Sequence, residues 1–328
     1  MSGEHMSSER SLITGINGFV GKHLAKHLLG KGHEVFGIDI QETCAVSGCS
    51  YFQANICDNV VIDRIFHKVN PTGIFHLAGV ASPSGFHTTP FKSFQINIMG
   101  TIAVFDAMRT QCAAAKLLTV GSSTEYKTVD LHNSLTEVSP LEPMSFYGVS
   151  KYTVEIIGQY YVRHHGLDIR FTRSFNHTGP GQGPEFVCSD WAKQVAAIEN
   201  KGATPQITVG NVNVAIDFSD VRDVVEAYAL IMEKGKSGEV YNVCGRNKIS
   251  LNYILEYLIK KSASNITVAT DKNKVAAPNS TAEIIGDNGK LCRETGWTPK
   301  IPFEKTLDDV YDWWVEELIK MKTSSCES

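Results

Sequence analysis

The stretch GINGFVG at positions 15–21 decides how the first half of this chain folds. It follows a short apolar run at 11–14, typical of a buried strand, and it precedes a helical stretch at 19–29. Glycines at positions 15, 18 and 21 allow a tight turn, close approach of the backbone to a pyrophosphate, and close packing of helix on strand. Because the positive end of a helix attracts phosphate, this strand–loop–helix unit predicts a dinucleotide-binding site.

Apolar strand-like runs and helical stretches alternate along the rest of the first half. The runs lie at 34–39, 73–78, 116–120 and 167–172, and the helical stretches lie at 58–69, 91–113 and 147–165. Such alternation implies right-handed crossovers between parallel strands. It predicts an α/β fold with a Rossmann-type doubly wound parallel sheet.

After residue 175 the pattern changes to a loop rich in glycine and proline, followed by short elements and a closing helix at 307–320. We expect a Rossmann domain at 10–175, to which a later segment near 211–245 returns. A smaller, interleaved C-terminal region that binds the substrate is expected at 176–210 and 246–322.

The composition is that of a soluble globular protein, since 42% of the 328 residues are hydrophobic, 20% are charged and the net charge is −4. The chain has no excess of positive charge, which argues against binding to nucleic acid. It also has no apolar run long enough to span a bilayer. The polar first ten residues lack the apolar core of a signal sequence. We therefore expect a cytoplasmic protein.

Metal binding is not indicated by the cysteines or histidines. The eight cysteines form no Cys-x2-Cys motif, so we expect reduced thiols. His23 and His27 are one helical turn apart, but they lie beside lysines and no third ligand is evident. We interpret them as part of a solvated helix face.

Asp39 ends the second predicted strand, 18 residues after Gly21. A carboxylate at this place can bind the adenosine ribose hydroxyls and would repel a 2′-phosphate. Although a simple turn aspartate would also fit a strand end, the spacing favours NAD(H), with NADP(H) as the other possibility.

Tyr147 and Lys151 are four residues apart in a predicted helix, so they share one face. A free tyrosine ionises near pH 10, and a nearby cation favours the phenolate and lowers the pKa. The pair is therefore suited to pass a proton to or from a substrate oxygen. Alone this spacing is also that of an ordinary surface pair, but the glycine loop upstream favours the catalytic interpretation.

These features together resemble the extended short-chain dehydrogenases/reductases that act on nucleotide sugars. The resemblance covers about residues 10–320. It rests on the glycine loop, Asp39, His76-Leu77-Ala78-Gly79, Asn97, Gly121-Ser122-Ser123, Tyr147-x3-Lys151 and the segment 173–182. Within that family the likeness is greatest to reductases of GDP-4-keto-6-deoxy-mannose, through the segments 175–194 and 209–223.

The resemblance implies roles for individual residues. Ser122 would hydrogen-bond the reacting sugar oxygen, Tyr147 would donate or accept the proton, and Lys151 would bind the nicotinamide ribose. The implied cofactor-binding residues are Gly15, Asn17, Gly18, Phe19, Val20, Asp39, Asn55, Ile56, Leu77, Ala78, Gly79, Asn97, Tyr147 and Lys151. The implied substrate-binding residues are Ser123, Thr124, Asn176, Gln182, Phe186, Val187, Lys193, Arg222 and Arg246. The family also implies a homodimer in which the helices near 91–113 and 147–165 form a four-helix bundle.

Several positions depart from the family pattern. Sugar 4,6-dehydratases carry an acid two residues before the tyrosine that follows the serine segment, and this chain has Thr124 there. Two arginines that grip the substrate diphosphate are replaced by Ile216 and Ala277, and Asn55 replaces an aspartate near the adenine. Loss of bidentate phosphate donors is not a conservative change. Dehydration is therefore disfavoured, and Arg222, Arg246 and Lys248 are candidates to compensate.

The leading hypothesis is reduction of the C4 keto group of a nucleotide-linked deoxysugar, with GDP as the expected nucleotide. A C4 epimerase or C4 dehydrogenase with tightly bound NAD would use the same Ser122, Tyr147 and Lys151. A nucleotide-sensing or scaffold protein on the same fold is the non-enzymatic alternative. It would have no need to keep these three residues together.

Overall fold

Seven parallel strands form the central sheet of this computed structural model, which describes residues 9–81, 89–127, 134–271 and 284–324. The described strands are β1 (Arg10–Thr14), β2 (Glu34–Asp39), β3 (Ser50–Gln53), β4 (Gly73–His76), β5 (Lys116–Ser122), β6 (Asp168–Ser174), β7 (Asn176–Thr178), β8 (Gln206–Val209), β9 (Ala215–Asp220), β10 (Val240–Val243), β11 (Lys248–Ser250) and β12 (Thr267–Thr270). The order in the central sheet is β10-β6-β5-β4-β1-β2-β3. The chain thus winds outward from β1 in one direction and from β4 in the other.

The described helices flank this sheet and build the C-terminal region. They are α1 (Phe19–Gly30), α2 (Asn59–Val69), α3 (Pro90–Phe94), α4 (Gly100–Gln111), α5 (Phe146–His165), α6 (Val187–Lys201), α7 (Val221–Lys234), α8 (Leu251–Ile259), α9 (Gly289–Thr295) and α10 (Phe303–Ser324). A π-helical turn at Gln95–Met99 joins α3 to α4. In the described ranges no helix is sufficiently long and apolar to traverse a bilayer.

Alternate residues of β1 enter two different cores, as the strand period of two requires. Leu12 packs on the face covered by α2, α4 and α5, together with Phe105 and Phe171. Ile13 packs on the opposite face, which α1 and α7 cover. Burial on both faces explains why the central strands are apolar runs with little alternation.

The smaller region has its own core between α6, α8 and α10. Trp191, Leu255 and Trp314 lie in it, beside the two-stranded pair of β8 and β12. A three-stranded sheet of β11, β9 and β7 contributes Phe218 of β9 to this core.

The doubly wound parallel sheet expected from the sequence is confirmed, and the differences are local. The helix expected at 91–113 contains the π-helical turn, and the strand β3 and the helices α6 and α7 were not foreseen. Helix α6 buries Cys188, Trp191, Ala192 and Val195, so the helical period was present in its sequence. The seven cysteines within the described ranges are free thiols.

Candidate active site

The glycine loop lies between the carboxyl end of β1 and the start of α1. Gly15 has φ +73°, and a Cβ atom there would lie 2.9 Å from Cα of Ala78. The Gly18 N–H donates to the Gly15 carbonyl at 3.0 Å, and a Cβ at Gly21 would lie 2.2 Å from that same oxygen. Phe19 and Val20 then begin α1, and within the described residues no side chain caps this helix. The loop therefore has the shape and the free helix end that a pyrophosphate needs.

Asp39 lies at the carboxyl end of β2, beside the glycine loop. Its carboxylate accepts hydrogen bonds from the backbone N–H of Asn17 at 3.0 Å and of Ile40 at 2.8 Å. The Asn17 side chain in turn holds the following loop through Thr43 and Ala45. The carboxylate is thus fixed at the carboxyl end of β2, and its contact with the adenosine ribose stays a prediction.

The segment after β4 forms the opposite wall. The Leu77 and Ala78 N–H groups both donate to Thr14, at 3.2 Å. A Cβ atom at Gly79 would lie 3.0 Å from Oδ1 of Asn97, so the two residues are in close contact. These contacts bring the wall beside the glycine loop.

Asn97 lies in the π-helical turn and is buried. Its Oδ1 accepts from the Val80 N–H at 2.7 Å, and its Nδ2 donates to Ser150 Oγ at 3.0 Å. Asn97 therefore links the wall after β4 to the helix that carries Tyr147. Such π-helical turns are frequent at functional sites.

The remaining residues of the predicted cofactor site lie at the edge of the sheet. Ile56 is buried and fills the space beneath Gly100, where a Cβ would lie 2.6 Å from its Cδ1. Asn55 is exposed and its side chain accepts from the Cys57 N–H at 3.0 Å.

Ser122, Tyr147 and Lys151 come together at the carboxyl end of β5. Ser145 caps α5 by accepting from the Gly148 N–H at 3.0 Å, which places Tyr147 in the first turn of the helix. Tyr147 is hydrogen-bonded to the side chain of Ser122. The Lys151 Nζ lies 5.8 Å from the centroid of the Tyr147 ring and donates to the Val120 carbonyl at 2.8 Å.

The pKa of Tyr147 is raised in the protein alone, and not lowered as its spacing from Lys151 predicts. Burial raises the pKa of Tyr147 to about 12, and the charge of Glu125 raises it further, while the Ser122 hydrogen bond lowers it. Burial also lowers the pKa of Lys151 to about 8. Loss of solvent, which the spacing of the two residues does not reveal, is the largest cause of the shift in the pKa of Tyr147.

The turn after Ser122 is a short 3-10 helix at Ser123–Glu125, and it surrounds the serine with hydrogen bonds. The Thr124 hydroxyl donates to Ser122 Oγ at 2.9 Å, and the Thr124 N–H approaches the same oxygen at 3.2 Å. The Glu125 carboxylate accepts from the Ser122 N–H at 2.6 Å. Ser123 is buried beside them.

Glu125 and Arg173 are part of a buried charge network that the sequence reasoning missed. Arg173 binds Glu155 through two hydrogen bonds, of 3.0 and 2.7 Å, and lies 3.7 Å from Glu125. One guanidinium thus serves two carboxylates, and Glu125 has no exposed surface. Burial, with the charge of Glu155, raises the pKa of Glu125 to about 8. Charged residues within or beside apolar strand sequences were the available signal.

Three predicted substrate-binding residues are engaged with other protein groups. Both ends of the Gln182 side-chain amide bond within the loop, to Thr178 and His177. Lys193 lies over the Trp314 ring, 5.0 Å from its centroid. These contacts stabilise the C-terminal region, and any role of these residues toward a substrate stays a prediction.

Arg222, the third of them, is held between two carboxylates. Its Nη2 lies 2.6 Å from Asp220 and its Nη1 lies 2.8 Å from Asp309. Both edges of the guanidinium are thereby occupied, which argues against Arg222 as the substitute diphosphate donor.

The other predicted substrate residues lie on the loop and turn regions around β7, α6 and β11. Asn176 is exposed, while Phe186 and Val187 are half-buried at the start of α6. Arg246 is exposed and has φ +58°, in a turn whose Gly245 N–H donates to the buried Asp217 at 2.9 Å. Their roles also stay predictions.

The positions that lack the family's arginines differ in what can be described. Ile216 is half-buried on β9, paired with Ile249 and packed against the core of the C-terminal region. Ala277 lies outside the described residues. On α1, His23 bonds to the Pro180 carbonyl at 2.8 Å and contacts the Phe19 ring. The expectation of a solvated histidine face is therefore wrong for His23.

The chain is similar over almost its whole length to enzymes that modify nucleotide sugars. A family profile described as GDP-mannose 4,6 dehydratase matches residues 12–310. GDP-6-deoxy-D-mannose reductase of Pseudomonas aeruginosa is 25% identical over 312 residues, covering 94% of this chain and 97% of that protein. A probable dTDP-glucose 4,6-dehydratase of Sinorhizobium fredii is 27% identical, covering 94% of this chain and 93% of that protein.

Solved structures share the whole fold. The structure of RMD from Pseudomonas aeruginosa complexed with NADPH has a TM-score of 0.82 and 26% identity, covering 94% of this chain and 99% of that one. UDP-glucose 4-epimerase of Thermus thermophilus complexed with NAD has a TM-score of 0.82 and 26% identity, covering 93% of this chain and 98% of that one. The chain therefore belongs to the GDP-mannose 4,6 dehydratase family of extended short-chain dehydrogenases/reductases, as a nicotinamide-dependent enzyme that modifies a nucleotide sugar.

Proposed function

We propose that this protein reduces the C4 keto group of a GDP-linked 4-keto-6-deoxy sugar with NADH. One observation carries the proposal. Ser122 and Tyr147 are hydrogen-bonded to each other beside the glycine loop, while the only carboxylate in the following turn, that of Glu125, is fully buried. The site thus offers groups for proton transfer to a carbonyl oxygen and lacks an exposed acid in that turn.

The convergence of a hydroxyl and a phenol suits the reduction of a carbonyl. Negative charge develops on the carbonyl oxygen during hydride transfer, and hydrogen-bond donors fixed at that place stabilise it. The nicotinamide, when bound, supplies the hydride. Tyr147 then gives its proton to the oxygen, Ser122 donates a hydrogen bond to it, and the charge of Lys151 favours the phenolate that remains.

Dehydration is disfavoured by the same turn. Removal of water across C5 and C6 needs a further acid/base group beside the sugar. Thr124 occupies the position of the dehydratase acid, and its hydroxyl donates a hydrogen bond to Ser122 Oγ. The Glu125 carboxylate is directed to the Ser122 N–H, where solvent and substrate do not reach it.

The choice of GDP as the nucleotide and the choice of NADH as the cofactor have different grounds. GDP is favoured because GDP-6-deoxy-D-mannose reductase is similar over almost the whole chain. NADH is favoured because the fixed carboxylate of Asp39 would repel a 2′-phosphate, although the similar structure of RMD contains NADPH.

The test is turnover of GDP-4-keto-6-deoxy-D-mannose with NADH or NADPH. We expect oxidation of the reduced nicotinamide in equal amount to the GDP-deoxyhexose formed, as measured by absorbance and by NMR of the product. Tyr147→Phe should lower kcat by about 100-fold or more. A variant with unchanged turnover would refute the catalytic assignment.

A C4 epimerase is the second candidate, favoured by the similarity to UDP-glucose 4-epimerase complexed with NAD. An epimerase returns the hydride to the sugar and consumes no reduced nicotinamide. Protein that purifies with one equivalent of NAD, and that interconverts sugars without net NADH oxidation, would replace the reductase proposal by this one.

We also propose a homodimer through α5. Phe146, Val149, Ile156 and Tyr160 recur on one face of this helix and are 38–54% exposed. Phe91 belongs to the adjoining helix α3 and is 83% exposed. Apolar residues grouped in this way mark an interaction surface, and pairing of two such faces would make the expected four-helix bundle.

A further inference from the structure

We infer that Thr124 is a positioning residue, which orients the Ser122 hydroxyl so that its one proton is directed to Tyr147 in the protein alone and to the reacting oxygen when the substrate is bound. This role rests on the proposed function, in which Ser122 and Tyr147 share that oxygen. The sequence had assigned Thr124 to the substrate, and the hydrogen bonds around Ser122 assign it another task.

The hydrogen-bond inventory of Ser122 carries the inference. A serine hydroxyl has one proton to donate and two lone pairs that accept. The Thr124 hydroxyl donates to Ser122 Oγ at 2.9 Å, and the Thr124 N–H donates to it at 3.2 Å. Both lone pairs are thereby used, so the Ser122 proton is left for another partner. Tyr147 is that partner, since it is hydrogen-bonded to the Ser122 side chain.

The direction of this bond has a chemical consequence. A hydroxyl that donates to a phenol oxygen stabilises the phenolate, whereas one that accepts from it stabilises the phenol. Because Thr124 fills the accepting capacity of Ser122, the Ser122–Tyr147 bond favours the phenolate. Thr124 thus keeps Ser122 a hydrogen-bond donor, toward the phenol oxygen in the protein alone and toward the negative charge on the reacting oxygen during reduction.

The Thr124 side chain is held firmly enough to perform this role. It lies in a 3-10 helix closed by a capping box, in which Glu125 accepts from the Ser122 N–H. The Thr124 carbonyl faces Gly148 in the first turns of α5, where a Cβ atom would lie only 2.4 Å from it. The turn and the helix that carries Tyr147 are therefore fixed relative to each other.

The test compares Thr124→Val, which keeps the shape and removes the hydroxyl, with Thr124→Ser, which keeps the hydroxyl. The probe is GDP-4-keto-6-deoxy-D-mannose with NADH. We expect Thr124→Val to lower kcat about tenfold, the effect of one lost hydrogen bond, with KM within about twofold. Thr124→Ser should stay within about threefold of the wild type.

A double-mutant cycle separates this role from a structural one. In a Ser122→Ala background the Thr124→Val change should have no further effect on kcat, because no Ser122 hydroxyl remains to be oriented. An equal loss in that background, a change in KM alone, or an unchanged kcat would each overturn the inference. The melting temperature of each variant shows whether it is folded.

Failure of the proposed function would look different. A wild-type protein that does not reduce the probe, or a Tyr147→Phe variant with full activity, would overturn the proposed function and the role of Thr124 with it. The role of Thr124 alone would be overturned if the wild type is active, Tyr147→Phe is inactive and Thr124→Val has an unchanged kcat.

Discussion

The Lys151 ammonium group donates a hydrogen bond of 2.8 Å to the backbone carbonyl of Val120. Val120 precedes Ser122 in β5, so this bond ties helix α5 to the strand that carries the serine. Burial lowers the pKa of Lys151 to about 8, although the charge of Glu125 opposes the shift. Lys151 therefore loses its positive charge within the pH range in which an enzyme is assayed.

We expect kcat for carbonyl reduction to fall as pH rises through about 8, because Lys151 is charged only below its pKa. Lys151→Met removes the charge at every pH and should lower kcat by about 100-fold, with no alkaline fall near that pH. The measurement is the pH profile of kcat at saturating NADH. Glu125→Gln is the control, since the pKa of Glu125 is also about 8. A fall that vanishes in Glu125→Gln would belong to the carboxyl group instead.

Glu125 should make the protein less stable at alkaline pH. Its pKa rises from 4.5 to about 8 on folding, so the folded protein holds one proton more than the unfolded chain between these values. The stabilisation is complete below the unfolded pKa and is lost as pH rises through about 8.

Glu125→Gln keeps the bond to the Ser122 N–H and cannot ionise. Between about pH 5 and about pH 8.5 its free energy of unfolding should fall by about 4 kcal/mol less than that of the wild type. Urea unfolding at the two pH values measures the difference. Equal slopes for the two proteins would show that Glu125 has an ordinary pKa.

The charge of Asp39 should decide the preference between NADH and NADPH. Asp39→Asn keeps an acceptor for the Asn17 N–H but removes the repulsion of a 2′-phosphate. We expect the ratio of kcat/KM for NADH to that for NADPH to fall about tenfold, and about tenfold more when Ile40→Arg is added. Ile40→Ala is the matched control, as Ile40 is exposed and uncharged. A wild type that prefers NADPH would contradict the assignment.

The exposed face of α5 should hold the homodimer. Ile156→Arg places a charge in the proposed interface and should give a monomer at micromolar concentration by light scattering. Ile319→Arg is the matched control, because Ile319 on α10 is 52% exposed and Ile156 is 51% exposed. A wild-type monomer, or equal dissociation by both variants, would argue against this interface.

Addition of a single carbon atom at Gly148 should destabilise the fold, because Gly148 packs closely against Thr124. A Cβ atom at Gly148 would lie 2.4 Å from the Thr124 carbonyl oxygen, so Gly148→Ala should destabilise the fold by about 1–3 kcal/mol and lower kcat. Gly30→Ala is the control, since a Cβ there has no heavy atom within 4 Å. That change should leave stability equal or raise it by up to about 1 kcal/mol. Chemical denaturation compares the two, and equal stability would mean that the turn moves freely.

The fold class and the glycine loop follow from local features of the sequence. A turn such as 15–21 depends on the backbone freedom of its own glycines, and the alternation of strands and helices depends on local apolar periods. Both are short-range properties. The four-residue spacing likewise places Tyr147 and Lys151 on one face of α5.

The burial and the charged neighbours of the site residues depend on contacts between distant parts of the chain. Glu125, Arg173 and Glu155 come from a turn, a strand and a helix, and only folding gives their two carboxylates one guanidinium to share. The pKa of Tyr147 rises because several elements exclude water from it, and a spacing of four residues carries no information about that burial. Local turns and helical or strand periods can therefore be predicted from a sequence. Desolvation and shared charges cannot, because they arise from the sum of distant contacts.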